Sequence, residues 1–351
     1  MIPSFVIKLH PISPWRVGLG PARETADLIY HSDSLYSAIT LAMEQFGWLS
    51  DWIAATAECD EPDVRFTSCF PFVDDTLFIV PPRNLWPPAP SPRVRWKSAR
   101  FVPLTLVLQM LKDPDLRLRE EEGWGVDPDS ECLLPAVSGQ RMRAPFRLAI
   151  RRSVSVDRLT GQTTDPTQTA CLEFSPGCGL WTGVWYSSEQ AATRWDARLK
   201  ACFRLLADSG FGGQRARGFG RTQPPEFLEN AFADLPAVSN DSPVSETETP
   251  EADASTEHAY WLLSLFSPSK QDQIDWTRGS YSVVTRSGVT ASRPRPGQIK
   301  QSLQMVVEGS VLFAAKPLKG AVTNVVPEDF PHPVYRSGYA IAVLIPWRVL
   351  L

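Results

Sequence analysis

The sequence lacks the patterns of a metal site or of a disulfide framework. It has only four histidines, and none of its six cysteines forms a C-x-x-C pair. Structural zinc sites need closely spaced Cys and His ligands, so we expect neither a metal ion nor another cofactor. The cysteines are expected to be reduced thiols that pack as small apolar side chains. They are Cys59, Cys69, Cys132, Cys171, Cys178 and Cys202.

A membrane-spanning run and a secretory signal are also missing. No apolar run reaches the roughly 18 residues that a spanning helix needs. The first residues, Met1–Phe5, lack the basic and apolar regions of a signal peptide, so we expect a cytoplasmic protein. With 351 residues and 43% hydrophobic content, the chain is long enough for two domains.

A basic excess is missing as well, because the formal net charge is −4. The charge is uneven, however. Residues 236–257 carry six acidic and no basic residues, which leaves the rest of the chain at +2. Six arginines lie between Arg141 and Arg158 against one acidic residue, and a second basic cluster spans residues 93–100. This distribution fits one bound nucleic-acid strand better than a duplex covered along its length.

Residues 211–221, FGGQRARGFGR, are rich in glycine and arginine. The G-x-x-x-x-G spacing matches a nucleotide P-loop, but Phe219 and Gly220 stand where the lysine and the Ser or Thr belong, which argues against an NTPase. Glycine allows close approach of another polymer, and arginine fits phosphate oxygens. The glycines of such a segment can also serve backbone geometry alone, but its three arginines favour a loop that holds a polynucleotide backbone.

Hydrophobic periodicity surrounds this loop with regular elements. Apolar residues at three- and four-residue steps predict a helix over 187–209 that ends at Gly210, directly before the loop. A strand over 5–9, followed by a helix over about 34–46, opens an α+β unit.

An arginine-bearing β-hairpin is predicted within the segment 112–186. Residues 147–158 and 169–174 have strand patterns, and turn residues lie between them. The alternative is a hairpin whose charges only face solvent. After the acidic segment 236–257, short strand patterns predict a smaller, strand-rich second domain from residue 258 onward.

His31 precedes the first predicted helix. A histidine at this place can act as a general base in RNA cleavage, or it can pack and hydrogen-bond at the helix start. No second histidine, tyrosine or lysine lies in a sequence pattern that marks it as a catalytic partner. The sequence therefore favours the structural role of His31.

Six segments form an ordered set that spans nearly the whole chain. They are His31–Ala38, Pro71–Phe78, Asp157–Gly161, Gly212–Arg221, Glu308–Ser310 and His332–Tyr339. Taken together, they resemble the RAMP superfamily of CRISPR proteins, most strongly the subunit that caps the crRNA 5′ end in a type III-A (Csm) effector complex. The proline-rich stretch 81–96 and the acidic segment 236–257 depart from the pattern.

The resemblance implies an α+β fold of two tandem ferredoxin-like (RRM-like) domains. The first domain would cover residues 1–235, with a β-hairpin thumb inserted at about 112–186 and the glycine-rich loop at 211–221. The composition of residues 236–257 predicts a disordered acidic linker. A smaller ferredoxin-like domain over 258–351 would follow it.

The resemblance also implies a function. The chain would be a non-catalytic RNA-binding subunit of an antiviral ribonucleoprotein, and it would anchor the repeat-derived 5′ handle of the crRNA. It would dock the large polymerase-like subunit on one side and the first repeated backbone subunit on the other. The thumb would wedge at the first pairs between guide and target RNA. No membrane partner is implied.

Particular residues would carry the RNA contacts. The loop glycines would bring the backbone close to RNA, and the arginines would pair with phosphates or stack on bases. The implied RNA-binding residues are His31 and Ser32 at the helix start, Arg147, Arg151, Arg152 and Arg158 along the thumb, and Gly212, Gly213, Arg215, Arg217, Gly218, Phe219, Gly220 and Arg221 in the loop.

Two alternatives belong to other functional classes. The first is a RAMP-family endoribonuclease that processes CRISPR repeat RNA with His31 as general base. Specific cutting of repeat RNA that His31→Ala abolishes would favour it. The second is a scaffold that docks proteins and never touches RNA, and the arginine clusters of the loop and the thumb argue against it.

Overall fold

The computed structural model describes eight stretches of the chain: residues 2–18, 25–87, 94–113, 123–137, 140–163, 166–229, 258–291 and 296–346. The acidic linker expected over 236–257 lies outside the described residues, as does part of the proline-rich stretch.

We call residues 2–229 the first half and residues 258–346 the second half. All four α-helices of the described residues and all strands of the larger sheet lie in the first half. The helices are α1 (Ser32–Gln45), α2 (Leu49–Thr56), α3 (Leu104–Lys112) and α4 (Glu189–Ser209). The strands are β1 (Ile2–Leu9), β2 (Val64–Phe66), β3 (Phe70–Val73), β4 (Thr76–Ile79), β5 (Val102–Pro103), β6 (Gly125–Val126), β7 (Leu133–Leu134), β8 (Ala136–Val137), β9 (Gln140–Arg141), β10 (Phe146–Ser153), β11 (Thr167–Phe174), β12 (Cys178–Tyr186) and β13 (Glu226–Glu229).

The second half is built from short strands. They are β14 (His258–Leu262), β15 (Ile274–Ser280), β16 (Val283–Arg286), β17 (Leu303–Val306), β18 (Val311–Ala314), β19 (Gly320–Asn324), β20 (Tyr335–Tyr339) and β21 (Ala342–Pro346).

The first half has the chain order of a ferredoxin-like unit. Its sheet runs β13-β1-β12-β3-β4-β5, with β2 also paired to β12, and its paired strands are antiparallel. The succession β1, α1, β3, β12, α4 and β13 is a β-α-β-β-α-β arrangement. Every residue of β12 is buried, which places this strand at the centre of the core. The predicted α+β fold class is confirmed.

Helix α4 forms as the periodicity predicts. Its buried residues Trp195, Leu199 and Phe203 follow one another at four-residue steps and face the sheet. The Oγ of Ser188 accepts a hydrogen bond from the backbone N–H of Ala191 at 3.2 Å, which caps the N-terminus. At the other end, Gly210 has a φ of 94° and turns the chain out of the helix into the glycine-rich loop.

Strands β10 and β11 form the predicted hairpin. They pair from Phe146 with Phe174 to Ser153 with Thr167, and the side chains of β10 are mostly exposed. The strand that follows, β12, pairs with β1 and β3 in the central sheet. The thumb insertion expected over about 112–186 therefore ends before β12, because β12 carries buried apolar side chains that belong to the core.

The second half is strand-rich, as expected. Four of its strands form a sheet in the order β15-β18-β14-β21, and β16–β17 and β19–β20 are two-stranded pairs. Residues 258–291 and 296–346 contain no α-helix. The strand-rich composition of these residues is as predicted, whereas a separate second domain and its ferredoxin-like character stay predictions.

The two halves meet at the first residues of α1. A ring nitrogen of His31, Nδ1, lies 2.8 Å from Oε1 of Glu308. The Oγ of Ser32 accepts a hydrogen bond from the backbone N–H of Leu265 at 3.1 Å. The next residue, Asp33, binds two arginines of the second half. Three consecutive side chains therefore hold one half of the molecule against the other.

The Asp33 carboxylate is the most heavily bonded of these groups. It is 1% exposed, and Arg286 donates to it from Nε at 3.0 Å and from Nη2 at 2.9 Å. The Nη1 of Arg336 donates to it as well. Burial opposes ionisation of this carboxyl, but the two guanidinium groups outweigh it and hold the pKa of Asp33 well below its usual range.

We expect Asp33→Ala to destabilise the protein strongly. The change leaves two buried guanidinium groups without their anion, and breaking a buried pair in this way costs about 3–5 kcal/mol in free energy of unfolding. Urea unfolding of both proteins measures the difference. The control is Asp51→Ala, because Asp51 is 53% exposed and pairs with Arg198 at 3.1 Å on the surface, where the loss should stay below about 1 kcal/mol. Equal losses in the two variants would contradict the role given to Asp33.

Candidate nucleic-acid interface

The glycine-rich loop, residues 211–221, is fastened to the core by an aromatic side chain. The ring of Phe211 is fully buried and stacks on Trp15, with centroids 5.1 Å apart and planes 14° from parallel. The edge of Tyr30 meets Phe211 at 6.2 Å. The backbone N–H of Gly213 donates to the carbonyl of Arg16 at 2.9 Å. The loop therefore has a fixed position at the end of α4.

The loop glycines serve two different purposes. Gly212 and Gly220 have φ angles of 73° and 79°, and a Cβ would lie 2.5 Å from the Arg16 carbonyl oxygen and 2.0 Å from the Phe211 carbonyl oxygen, respectively. These two glycines let the loop close on its own chain. Gly218 has a φ of 80° and no atom within 4 Å of such a Cβ. Gly213 and Gly218 are exposed, so they are the two of the predicted four that face outward.

The three loop arginines lie in different places. Arg215 lines a cavity of about 810 Å³ between the loop, α1 and the second half, which we call the groove. Arg217 turns to the hairpin, where its Nη1 donates to the Oγ of Ser153 at 2.9 Å. Arg221 is exposed at the end of the loop, and its backbone N–H donates to the Oγ of Ser13 at 2.8 Å.

The groove is positively charged. Five basic residues line it against two acidic ones, and one of the two acids, Asp33, is already bound to Arg286 and Arg336. In the part of the chain that the structure describes, Arg215 and Lys300 have no carboxylate within ion-pair distance. Burial and the nearby Arg336 lower the pKa of Lys300 to about 8, against the attraction of Asp33. The five basic residues are Arg16, Arg215, Arg286, Lys300 and Arg336, and the acidic ones are Asp33 and Glu44.

Most of these groove residues have no recognisable signal in the sequence. Arg286, Lys300 and Arg16 belong to neither of the two basic clusters noted in the sequence and are far from the loop along the chain, and only the fold brings them to it. Arg336 is part of the segment 332–339 that carries the family resemblance, which was the available signal.

The hairpin arginines differ in whether a carboxylate lies close enough to neutralise their charge. Arg147 donates to Glu173 at 2.8 Å, and Arg151 pairs with the same carboxylate. Arg152 lies in the same strand, and no carboxylate among the described residues is within ion-pair distance of it. Arg158 is exposed in the turn between β10 and β11.

His31 and Ser32 lie in the interior. They are 2% and 6% exposed. The Nε2 of His31 is 2.9 Å from Oδ2 of Asp27, and its Nδ1 is bonded to Glu308. Burial works against the charged ring, but the charge of Glu308 and the two hydrogen bonds raise the pKa of His31 to about 9. Both ring nitrogens thus carry protons at neutral pH, and neither can accept one from a substrate.

The described residues contain no group of three or more His, Cys, Asp or Glu side chains placed to hold a metal ion. None of their helices combines the length and the apolar composition that crossing a membrane takes.

The His31 network predicts a distinct pH dependence of stability. The pKa of His31 is about 9 in the folded protein and about 6.5 when unfolded. Its stabilisation is therefore fully present below about pH 6.5 and is lost as the pH rises through about 9. We expect the stability difference between wild type and His31→Gln, measured by urea unfolding, to shrink by roughly 3 kcal/mol between about pH 6 and about pH 10. A difference that stays constant with pH would contradict the charged state of His31.

The glycines predict a matched pair of variants. Gly218→Ala and Gly220→Ala both place a side chain at a positive φ, which costs about 1–2 kcal/mol. Gly220→Ala carries a further cost, because its Cβ would collide with the Phe211 carbonyl oxygen. We expect a clearly lower thermal midpoint for Gly220→Ala than for Gly218→Ala. Equal midpoints would show that the loop does not close on Phe211 in this way.

Comparison with known proteins gives consistent matches at two levels. Residues 255–345 match the model of the CRISPR Csm4 C-terminal domain family. No curated protein matches the chain.

The solved structures match along nearly the full length. A chain of the Csm3–Csm4 subcomplex of the type III-A CRISPR-Cas interference complex has a TM-score of 0.62 and 16% identity, and the match covers 98% of this chain and 99% of that chain. A chain of the Csm1–Csm4 cassette in complex with cA4 has a TM-score of 0.55 and 16% identity, over 99% and 100% of the two chains. At this identity the likeness by itself establishes the fold. The family match covers residues 255–345, so the chain is similar to Csm4 both in its fold and in this C-terminal segment.

Proposed function

We propose that the chain is the Csm4 subunit of a type III-A CRISPR effector complex and anchors the repeat-derived 5′ handle of the crRNA in the groove. The observation that carries the proposal is the groove itself, where five basic residues meet two acidic ones beside the glycine-rich loop. The subunit acts by binding and contributes no catalytic group. Its place in the complex makes it part of an antiviral defence.

The groove suits a single RNA strand. Its volume of about 810 Å³ is in the upper part of the range for small-ligand sites, about 300–1,000 Å³. Arg215 lies on the loop, Arg16 elsewhere in the first half, and the other three cations in the second half. An RNA backbone that passes between these parts would meet cations along its path. Single-stranded RNA is bound by such basic grooves, with unstacked bases lying on aromatic or apolar side chains. Tyr335 and Val289 line the same groove.

His31 and Ser32 contribute to RNA binding indirectly. Their polar atoms are bonded within the chain, so we propose no direct contact between them and RNA. They hold the second half, which supplies Arg286, Lys300 and Arg336, against α1 and the loop. We therefore treat His31 and Ser32 as positioning residues.

Partner subunits follow from the relatives. The similar chains were crystallised in a Csm3–Csm4 subcomplex and in Csm1–Csm4 cassettes. We propose that this chain likewise docks the large polymerase-like subunit and the first repeated backbone subunit. The hairpin of β10 and β11 would then lie at the first pairs between guide and target RNA, as the resemblance implies.

The endoribonuclease alternative depends on His31. A general base must be unprotonated and within reach of the substrate. His31 is 2% exposed and lies between two carboxylates, and the pKa that they raise keeps it protonated at neutral pH. This environment supports the binding role. Repeat RNA that stays intact on incubation with the chain would agree with it, and specific cutting abolished by His31→Ala would favour the enzyme.

Groove variants test the RNA contact directly. We expect Arg215→Gln combined with Lys300→Gln to weaken binding of the crRNA 5′-handle RNA by at least about tenfold, because each lost cation removes a charge-assisted hydrogen bond. The slope of log affinity against log salt should fall by about 0.7 for each lost phosphate contact. Fluorescence anisotropy over a salt series measures both. Lys270→Gln is the control, since Lys270 is an exposed cation that does not line the groove. Unchanged affinity and slope in the double variant would refute the groove assignment.

Purification from the native host tests the assembly. We expect the chain to bring down a large polymerase-like subunit and short RNAs that share one repeat-derived 5′ tag. Sequencing of the bound RNA identifies the tag. A protein recovered alone and free of RNA would overturn its place in the complex.

A further inference from the structure

A second, smaller cavity lies between the glycine-rich loop and the hairpin. Its volume is about 300 Å³, and we call it the cleft. Strand β10 contributes Arg151, Arg152 and Ser153, strand β11 contributes Thr169, and the loop contributes Arg217 and Phe219. Gln214 lines both the cleft and the groove, so the two cavities are neighbours on either side of the loop.

The cleft carries a surplus of positive charge. Three guanidinium groups line it, and no acidic side chain does. Arg151 shares Glu173 with Arg147, so a single carboxylate outside the lining balances two arginines. The Nη1 of Arg217 donates to the neutral hydroxyl of Ser153, which leaves its charge uncompensated. Arg152 likewise has no carboxylate at ion-pair distance in the described ranges. Such a cluster of arginines is suited to the oxygens of a phosphate.

An unpartnered hydroxyl points to the same ligand. Thr169 is 3% exposed and lines the cleft, and its Oγ1 has no hydrogen-bond partner among the described residues. Leaving a buried hydroxyl unpaired is unfavourable, because the group gives up its hydrogen bonds to water on folding. A phosphate oxygen in the cleft would accept the hydrogen bond that this hydroxyl lacks. The Thr169 hydroxyl and the arginines thus line one cavity, and together they supply the hydrogen-bond donor and the positive charge that a phosphate needs.

We propose that the cleft holds one phosphate of the RNA strand, with Arg152 and Arg217 as its charge partners and Thr169 as a hydroxyl donor. The inference rests on the proposed function, because the strand in question is the one whose handle occupies the groove. The strand leaves the groove, crosses the loop at Gln214 and places a single backbone phosphate at the base of the hairpin. Contacts from β10, β11 and the loop to this phosphate fix the hairpin relative to the loop.

Thr169→Val tests the hydroxyl without removing a charge. Valine has nearly the same shape, and replacing an unpaired buried hydroxyl leaves stability unchanged or raises it. We expect binding of a short oligouridylate to weaken by about three- to tenfold, with an unchanged salt slope, because no ion pair is lost. Thr193→Val, on the exposed side of α4, is the matched control and should bind as wild type. Wild-type affinity in Thr169→Val would overturn the assignment of the hydroxyl.

RNA that carries one uncharged linkage in place of a phosphate can locate the phosphate bound in the cleft. Oligouridylates that carry one methylphosphonate at successive positions are compared on wild type and on Arg152→Gln combined with Arg217→Gln. One position should weaken binding to wild type by about tenfold and leave binding to the double variant unchanged, because the charge partners are already gone. Equal effects on both proteins at every position would overturn the cleft proposal. If Arg215→Gln with Lys300→Gln still weakens RNA binding, the groove proposal stands regardless; if neither double variant matters, both proposals fail.

Discussion

The structure depends on the burial of one carboxylate between two guanidinium groups at the start of α1. Taking Asp33, Arg286 and Arg336 out of water is costly, and the cost is recovered only when all three are assembled with good geometry. Asp33 belongs to the first half and both arginines to the second. The ion cluster therefore forms only when the halves are docked, and with His31–Glu308 beside it, it fixes their relative position.

The same cluster explains why the groove is positive. Two guanidinium groups share one carboxylate, so the interaction that joins the halves leaves one uncompensated positive charge in the groove wall. Lys300 is half-buried beside Arg336, and burial together with repulsion from this guanidinium lowers the pKa of Lys300. A phosphate would relieve that repulsion. Stability and ligand affinity thus draw on the same residues, and the groove is most favourable electrostatically when it is filled.

Local patterns in the sequence predicted the helices and strands well. Contacts between residues that are far apart in the sequence determined the surroundings of His31. The four-residue spacing of Trp195, Leu199 and Phe203 was sufficient to place α4, because helix faces are encoded within a short stretch. The arginine-rich hairpin followed from alternation and turn residues in the same way. In contrast, no residue near His31 in the sequence predicts its contact with Glu308, which lies 277 residues away. The burial that turns His31 from a surface residue into a structural one comes from packing between the halves, which a single sequence does not encode locally.

The glycine-rich loop shows that the glycines of one short segment can have more than one role. Its glycines were expected to admit RNA, yet Gly212 and Gly220 admit the loop's own chain, at Arg16 and Phe211. This closure is what lets the arginines between them diverge, Arg215 toward the groove and Arg217 toward the hairpin. A flexible loop would let both cations collapse onto the nearest carboxylate. A loop held by Phe211 on Trp15 keeps them apart at a fixed spacing, and two separated cations on a rigid support can define the course of a strand, not merely its presence.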